Sequence, residues 1–245
     1  AQSLKNFCEA IGISKANSEI EIGYFEHFIR DYLNIHAERA MAVEKPLKVV
    51  ITDFSGSEEE DFDVNPNDET AGTRKITMSK ELYIEEDDFS LDPPPKYYRL
   101  KKDGYVRLKN AYIIKCDEVV FGENGEIKEL RCSHVPSSRS GNDTSGIKVK
   151  GVIHWVDAAT CVDAEIRKYD YLLKDAQYPG QDFSERMNQD SVHVFYGKAE
   201  PYLAGAKDGS SFQLMRKGYY KKVNDNGRLI LSEIVSLKDT FNVKK

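Results

Sequence analysis

The sequence predicts a mainly β protein with a short helical leader. From Pro46 onward, apolar residues recur with period two in short runs rich in Val, Ile, Tyr and Phe. Asn124-Gly125 and Asn226-Gly227 each stand between two such runs, the dipeptide that tight hairpins favour. Helical spacing is confined to the stretch before Pro46.

In chain order, Leu4, Phe7, Cys8 and Ile11 recur at helical spacing, and Gly12 is placed to end that helix in a left-handed conformation. Asn17 or Ser18 is expected to cap a second helix. Its buried stripe is Ile22, Phe25, Phe28, Ile29 and Leu33, and it should stop near Asn34. Strands are then expected over 47–54, 75–84, 97–100, 105–108, 111–120, 127–132, 147–155, 166–172, 191–199, 212–216, 219–223 and 229–235. Asp92-Pro93-Pro94-Pro95 reads as a stiff extended segment, and 137–145 as a Ser/Gly/Asn loop. Many short strands without a long repeat suit barrels or a sandwich.

A chain of 245 residues has room for one large domain or two small ones. With 40% apolar and 11% aromatic residues it is too apolar for general disorder. Its longest aliphatic runs, such as Val49-Val50-Ile51, fall far short of the roughly 20 residues of a membrane span. No basic segment followed by an apolar run opens the chain, and the missing initiator Met suggests a piece of something longer. Cys8, Cys116, Cys132 and Cys161 contain no C-x-x-C pair, which excludes a dense disulfide framework and fits a reducing cytoplasm.

The net charge of −6 argues against a nucleic-acid partner, but its distribution argues the other way. Residues 53–92 hold 14 acids against Arg74, Lys75 and Lys80, whereas 96–115 hold seven bases against Asp103 alone. An anionic partner suits the basic segment, while the acidic one would turn phosphates away. Two solvated faces of opposite sign remain the alternative.

Motifs for catalysis are weak. Thr77-Met78-Ser79-Lys80-Glu81 partly matches the Lys-Met-Ser-Lys-Ser loop of class I aminoacyl-tRNA synthetases, but it runs into a strand and has no His-x-Gly-His partner. Gly141…Gly146-Ile147-Lys148 is one residue too long for a phosphate loop, and Val149 stands where Ser or Thr is required. His27, His36, His134, His154 and His193 lack metal spacing, and Cys132-x-His134 has no evident further ligands. No G-x-S-x-G elbow or glycine-rich dinucleotide fingerprint occurs.

The basic segment is more informative. Lys96-Tyr97-Tyr98-Arg99-Leu100 and Tyr105-Val106-Arg107-Leu108-Lys109 set cations beside aromatic rings in what should be two adjacent strands, with Tyr105, Arg107 and Lys109 on one face. Single-stranded RNA is read by stacking splayed bases on Tyr or Arg and hydrogen-bonding their edges. A surface strand pair with snorkelling lysines fits the pattern as well.

Several blocks together resemble one family, glutaminyl-tRNA synthetase. They are Arg39-Ala40-Met41-Ala42-Val43 with Pro46-Leu47-Lys48-Val49-Val50-Ile51, then Ala71-Gly72-Thr73-Arg74-Lys75 with Ser79-Lys80-Glu81-Leu82-Tyr83-Ile84. Val106 to Lys115, Val149 to Ala159 and Phe212 to Tyr220 continue the series in order over nearly the whole chain. Gly151-Val152-Ile153-His154-Trp155-Val156 is more typical of the glutaminyl branch than of the related glutamyl enzymes.

The resemblance implies a C-terminal anticodon-binding region of two β-barrels that exchange strands, over 39–245, preceded by a helical connector over 1–38. It implies an RNA partner, the anticodon loop of glutamine tRNA, with no DNA and no membrane, and a cytoplasmic monomer. ATP and Mg are implied for a catalytic domain outside this chain, so no cofactor is expected here and the chain alone should be inactive. By motif position Asn34, Arg39, Asn67, Arg99, Arg107, Gln213 and Arg216 match anticodon-loop contacts. Lys96, Tyr98 and Lys109 stand where Gln, Lys and Arg are common. Arg99 is expected to read guanine, Arg39 with Gln213 uridine, and Lys148 and Lys150 to add phosphate contacts. A glutamyl-tRNA synthetase region and a β-barrel protein-interaction module are the alternatives.

Overall fold

Residues 38–43 and 152–157 organise the fold, in a computed structural model that describes residues 1–13, 15, 19–173 and 182–238. One seven-stranded sheet runs Glu38–Ala40, Ser211–Leu214, Gly218–Asp225, Arg228–Ser236, Val162–Tyr169, Val192–Ala199, Ala42–Val43. Its two outermost strands come from one continuous stretch with Met41 between them, so the sheet curls nearly closed. The other runs Val152–Ile153, Tyr105–Leu108, Ile113–Phe121, Ile127–Val135, Pro46–Ile51, Glu81–Glu85, Val156–Asp157. Here the outermost strands flank His154 and Trp155. Residues 38–43 precede the first barrel in the chain yet close the second, which is the strand exchange.

The alternation of the sequence builds each wall. In Pro46–Ile51, Leu47, Val49 and Ile51 face inward and Lys48 and Val50 outward. The first core gathers Trp155, Phe62, Met78, Leu82, Leu108 and Ile114, and the second Phe212, Leu214, Tyr220, Ile166 and Leu231. Met41, fully buried between the barrels' walls, belongs to the first core although its neighbours Ala40 and Ala42 belong to the second. Both predicted hairpins form, and Asn226 and Gly227 both take positive φ (53° and 82°), as a two-residue hairpin turn requires.

Two helices precede the barrels. Helix α1 (Gln2–Ile11) ends at Gly12, whose φ is 69° and whose N–H donates to Cys8 O. It packs on helix α2 (Ile22–His36) through Phe7, whose ring meets those of Tyr24, Phe25 and Phe28 edge-on. Helix α2 is fastened to the second barrel by Leu33 and by Ala37, which follows its last turn, against Tyr219 and Val235.

Several expectations need correction. Helix α2 starts at Ile22 behind Glu21, without a side-chain cap, and runs past Asn34 to His36. Asn17 and Ser18 lie outside the described residues. Of its apolar stripe only Leu33 is fully buried. The expected strand 75–84 breaks at Lys80 into Thr73–Ser79 and Glu81–Glu85, so the Thr77–Glu81 motif is a corner between two strands. Asp157 Oδ1 takes the Ser79 N–H there at 2.9 Å. Thr73–Ser79 pairs instead with Ser57–Asp63, a strand hidden by its acidic composition. Phe62 is its inward anchor, and opposite it Arg74 forms a buried ion pair with Glu200 at 2.8 Å that ties this ribbon to the second barrel. The acidic segment is therefore no simple solvated face, since Glu60, Glu85 and Asp88 are buried.

Residues 97–99 and 147–151 form no strand; only Leu100–Lys101 and Val152–Ile153 do. Three prolines remove ladder donors just upstream, and Tyr97 N donates to Pro94 O across a turn in which Lys96 has φ 65°. The Lys96–Leu100 segment consequently pairs through Leu100 with Phe89 rather than lying beside Tyr105–Leu108.

Candidate nucleic-acid interface

The stretches that close the two barrels touch where His154 Nε2 meets Ala42 O at 3.0 Å. Beside this contact opens a cleft of about 390 Å³, lined by Arg39, Lys109, His154, Gln213, Met215 and Arg216 among others. That volume falls in the range of small-ligand sites. Four residues singled out from the sequence (Arg39, Lys109, Gln213 and Arg216) thus converge from separate parts of the chain.

Local structure explains each placement. Arg39 and Gln213 are direct partners in the parallel pairing of Glu38–Ala40 with Ser211–Leu214. Gln213 alternates with the buried Phe212 and Leu214, so its side chain leaves the barrel core on the cleft side. Lys109 sits at the corner after Tyr105–Leu108; its N–H donates to Ile153 O at 2.8 Å and its carbonyl accepts from Trp155 Nε1 at 3.0 Å. Arg216 occupies the hairpin turn after Leu214 with φ 66°, a conformation that costs a non-glycine residue roughly 1–3 kcal/mol.

Asp88 offsets that strain. Its carboxylate, fully buried, accepts from Arg216 Nη1 and Nη2, both at 2.6 Å, and forms an ion pair with Arg99, whose Nε lies 3.3 Å away. Burial alone would lower the Arg216 pKa, but the paired carboxylate outweighs it and holds the guanidinium above its usual value. Arg99 also donates to Asp87 O at 2.9 Å, and Tyr97 Oη donates to the same oxygen at 3.2 Å. Burial pushes the Tyr97 phenol up to about 12.

A second cluster caps helix α2. Arg39 donates to Ala37 O at 2.6 Å and to both the carbonyl and the side-chain oxygen of Asn34, at 2.7 and 3.1 Å. Asn67 Nδ2 donates to Asn34 O at 2.6 Å, and Asn65 Nδ2 to Ile35 O at 2.7 Å. These donors satisfy carbonyls that the last helical turn leaves unpaired. Burial lowers the Arg39 pKa. Asn34, Arg39 and Asn67 therefore stand together, with Asn65 an unforeseen fourth member.

The remaining candidates lie around the cleft rather than in it. Arg107 is bound to Ser138 O at 2.6 Å and to the Asp143 carboxylate, so it anchors the 136–143 loop. Lys96 is exposed at its turn, and Lys148 is exposed on the approach to the closing stretch. Lys150 Nζ lies 5.0 Å from the centroid of the exposed Tyr98 ring. That cation–π contact brings the two basic segments together although they form no shared sheet.

Behind the cleft, Glu85 links the barrels. It accepts from Glu44 N at 2.9 Å, pairs with Lys217 at 3.0 Å, and lies 3.4 Å from His154 Nε2. Burial opposes its charge, but these partners prevail and hold the carboxyl down at about 2. Glu44 in turn receives Lys168, Lys217 and Tyr220 of the second barrel.

A larger cleft of about 1040 Å³ opens elsewhere between the barrels, but Glu44, Glu86 and Asp87 face it against Lys45 alone, the wrong sign for a phosphate backbone. Among the described residues no His, Cys, Asp or Glu group could hold a metal ion, and no helix is long and apolar enough to cross a membrane.

Comparison with known proteins gives the family of the chain. The family of anticodon-binding domains of class I tRNA synthetases (E and Q) matches residues 37–135 and again 152–222. The chain is similar to glutamine–tRNA ligases of Clostridium perfringens (44% identical), Nitrobacter hamburgensis (41%) and Idiomarina loihiensis (40%). These matches cover 98–99% of this chain but only 44–45% of each relative, so the chain spans a little under half their length. Relatives of the glutamine branch do not favour the glutamyl alternative. With both barrels matched and the cleft lying between them, the chain belongs to the family of class I tRNA synthetase (E and Q) anticodon-binding domains.

Proposed function

We propose that this chain, as part of a glutamine–tRNA ligase, binds the anticodon loop of glutamine tRNA by splaying the bases apart and seating them separately. The observation that carries this reading is the cleft in which Arg39, Lys109, Gln213 and Arg216 meet, with Arg99 tied to it through Asp88. The Gln213 amide both donates and accepts, as a uracil edge requires, and Arg39 has N–H donors beyond those that cap helix α2. Arg99, 44% exposed and held only at Nε and one Nη, keeps donors for the O6 and N7 of guanine. Lys96, Tyr98, Lys148 and Lys150 would serve the adjacent backbone and an unstacked base. Arg107 would act through the loop that it anchors. Asn34 and Asn67 would hold Arg39 in place at the loop's edge.

Glutaminylation with ATP and Mg would be the work of the part of the relatives that this chain does not span. The chain would act as a cytoplasmic monomer, without DNA or membrane partners. The test is titration of the chain with an anticodon stem-loop carrying CUG and with one whose last base is changed, at two salt concentrations. Tight, salt-sensitive binding that prefers CUG is expected. Equal affinity for the two loops would remove base readout, and no binding would move the weight to a protein partner.

A further inference from the structure

One buried carboxylate, that of Asp88, meets an arginine from each of the two candidate base sites. Asp88 lies in the single turn Glu86–Asp88, is 0% exposed, and has two guanidinium groups on one carboxylate. Arg216 faces the cleft assigned to the second anticodon base, and Arg99 the neighbouring surface assigned to the third. Both use Asp88 Oδ1, Arg216 through Nη2 at 2.6 Å and Arg99 through Nε at 3.3 Å. A displacement of either arginine therefore changes the charge balance that the other feels. The chain of contacts continues from Arg216 Nη1 to His154 Nδ1 at 3.3 Å, and through His154 to Glu85 and Ala42.

We infer that Asp88 is a positioning residue that couples recognition of the second and third anticodon bases, an inference that rests on the anticodon reading above. Each arginine is pre-set by the shared carboxylate, so the base that engages first orders the donors for the next and lowers the entropy cost of seating it. A wrong base at one position leaves its arginine loose on Asp88 and disturbs the other site as well. Changing either base alone then forfeits most of the selectivity, and changing both costs less than the two losses combined. Asp88 itself touches neither base.

The experiment measures Kd of this chain for four stem-loops: CUG, the second base changed, the third changed, and both. It uses the unaltered chain and Asp88→Asn. For the unaltered chain the two losses should be clearly non-additive. Asp88→Asn keeps the shape but turns a carboxylate oxygen into an amide that repels a guanidinium. It should weaken CUG binding about tenfold or more, make the base losses additive, and change affinity for the doubly changed loop little. Should Asp88→Asn fail to fold, Arg99→Gln, Arg216→Gln and their combination decide the matter, since coupling through Asp88 makes the double loss smaller than the two single losses multiplied. Selective binding with additive base losses in the unaltered chain overturns the coupling and leaves the anticodon reading standing. Retained non-additivity in Asp88→Asn overturns the role of Asp88. Absence of RNA binding by the unaltered chain removes the reading and this inference together.

Discussion

His154 Nε2 lies 3.0 Å from Ala42 O and so joins the stretch that closes one barrel to the stretch that closes the other. A carbonyl can only accept, so Nε2 carries the proton; a guanidinium can only donate, so Nδ1 accepts from Arg216. One ring, 1% exposed, thus serves both the seam and the cleft.

His154→Ala should take from the Ala42 carbonyl its imidazole partner and leave Arg216 Nη1 held by Asp88 alone. Losing such a buried hydrogen bond costs about 1–3 kcal/mol. Urea unfolding should show that loss, and the stem-loop titration should show weaker binding even at temperatures where the variant is fully folded. Full stability with unchanged binding would mean that the seam is held by the sheets alone.

Arg99 and Arg107 look alike in the sequence and should behave differently. Arg99 is half exposed with donors to spare, whereas Arg107 is 16% exposed and fixed on Ser138 and Asp143. Arg99→Ala should reduce CUG affinity by about 1–3 kcal/mol relative to a loop with the third base changed, and leave urea unfolding nearly unchanged. Arg107→Ala should lower stability and raise hydrogen exchange in the 136–143 loop, with equal loss of affinity for both loops. A selective loss in Arg107→Ala would assign it a base.

Gly151 should not accept a side chain. A Cβ there would lie 1.6 Å from Tyr98 O, a backbone atom that cannot swing aside. The Arg107 N–H is also bonded to Gly151 O at 3.1 Å, which holds the strand corner in place. Gly151→Ala should therefore force the 97–99 and 148–151 segments apart, destabilise by about 2 kcal/mol or more, and break the Tyr98–Lys150 contact. A thermal melt reads the stability, and Tyr fluorescence or NMR the local change. An unchanged melt would show that the two segments separate freely.

Much of the fold could be read because alternation and turn chemistry are local. Leu47, Val49 and Ile51 announce an inward face, and Asn226-Gly227 a hairpin, whatever the rest of the chain does. The exchange of strands could not be read from spacing, since it depends on residues 38–43 pairing with partners more than 150 positions away. Ser57–Asp63 was hidden because its β preference is weak and its strand is made by Phe62 and a cross-strand Arg74. The candidate site shows the same division. Lys109, Gln213 and Arg216 were visible as residue types within motifs, but Asp88 stands in a run of four acids, two of which the structure buries and two of which it exposes. No pattern in Glu85-Glu86-Asp87-Asp88 says which one meets the arginines.

Glu85 supplies a prediction in pH. Burial disfavours its charge, but His154, Lys217 and the Glu44 N–H outweigh it and hold the carboxyl at about 2, against about 4.5 when the chain is unfolded. The folded value is the lower one, so the unfolded state takes up the proton first as the solution is acidified. The contribution is therefore complete above about pH 4.5 and disappears as pH falls toward about 2. The difference corresponds to about 3 kcal/mol. Glu85→Gln should be less stable than the unaltered chain by roughly that amount at neutral pH, and the two unfolding free energies should converge on acidification through that window. Urea unfolding at a series of pH values measures the gap directly. A gap that stays constant down to about pH 2 would mean that Glu85 acts by shape and neutral hydrogen bonds, and the charge-paired seam between the barrels would have to be assigned to Glu44 with Lys168 and Lys217 instead.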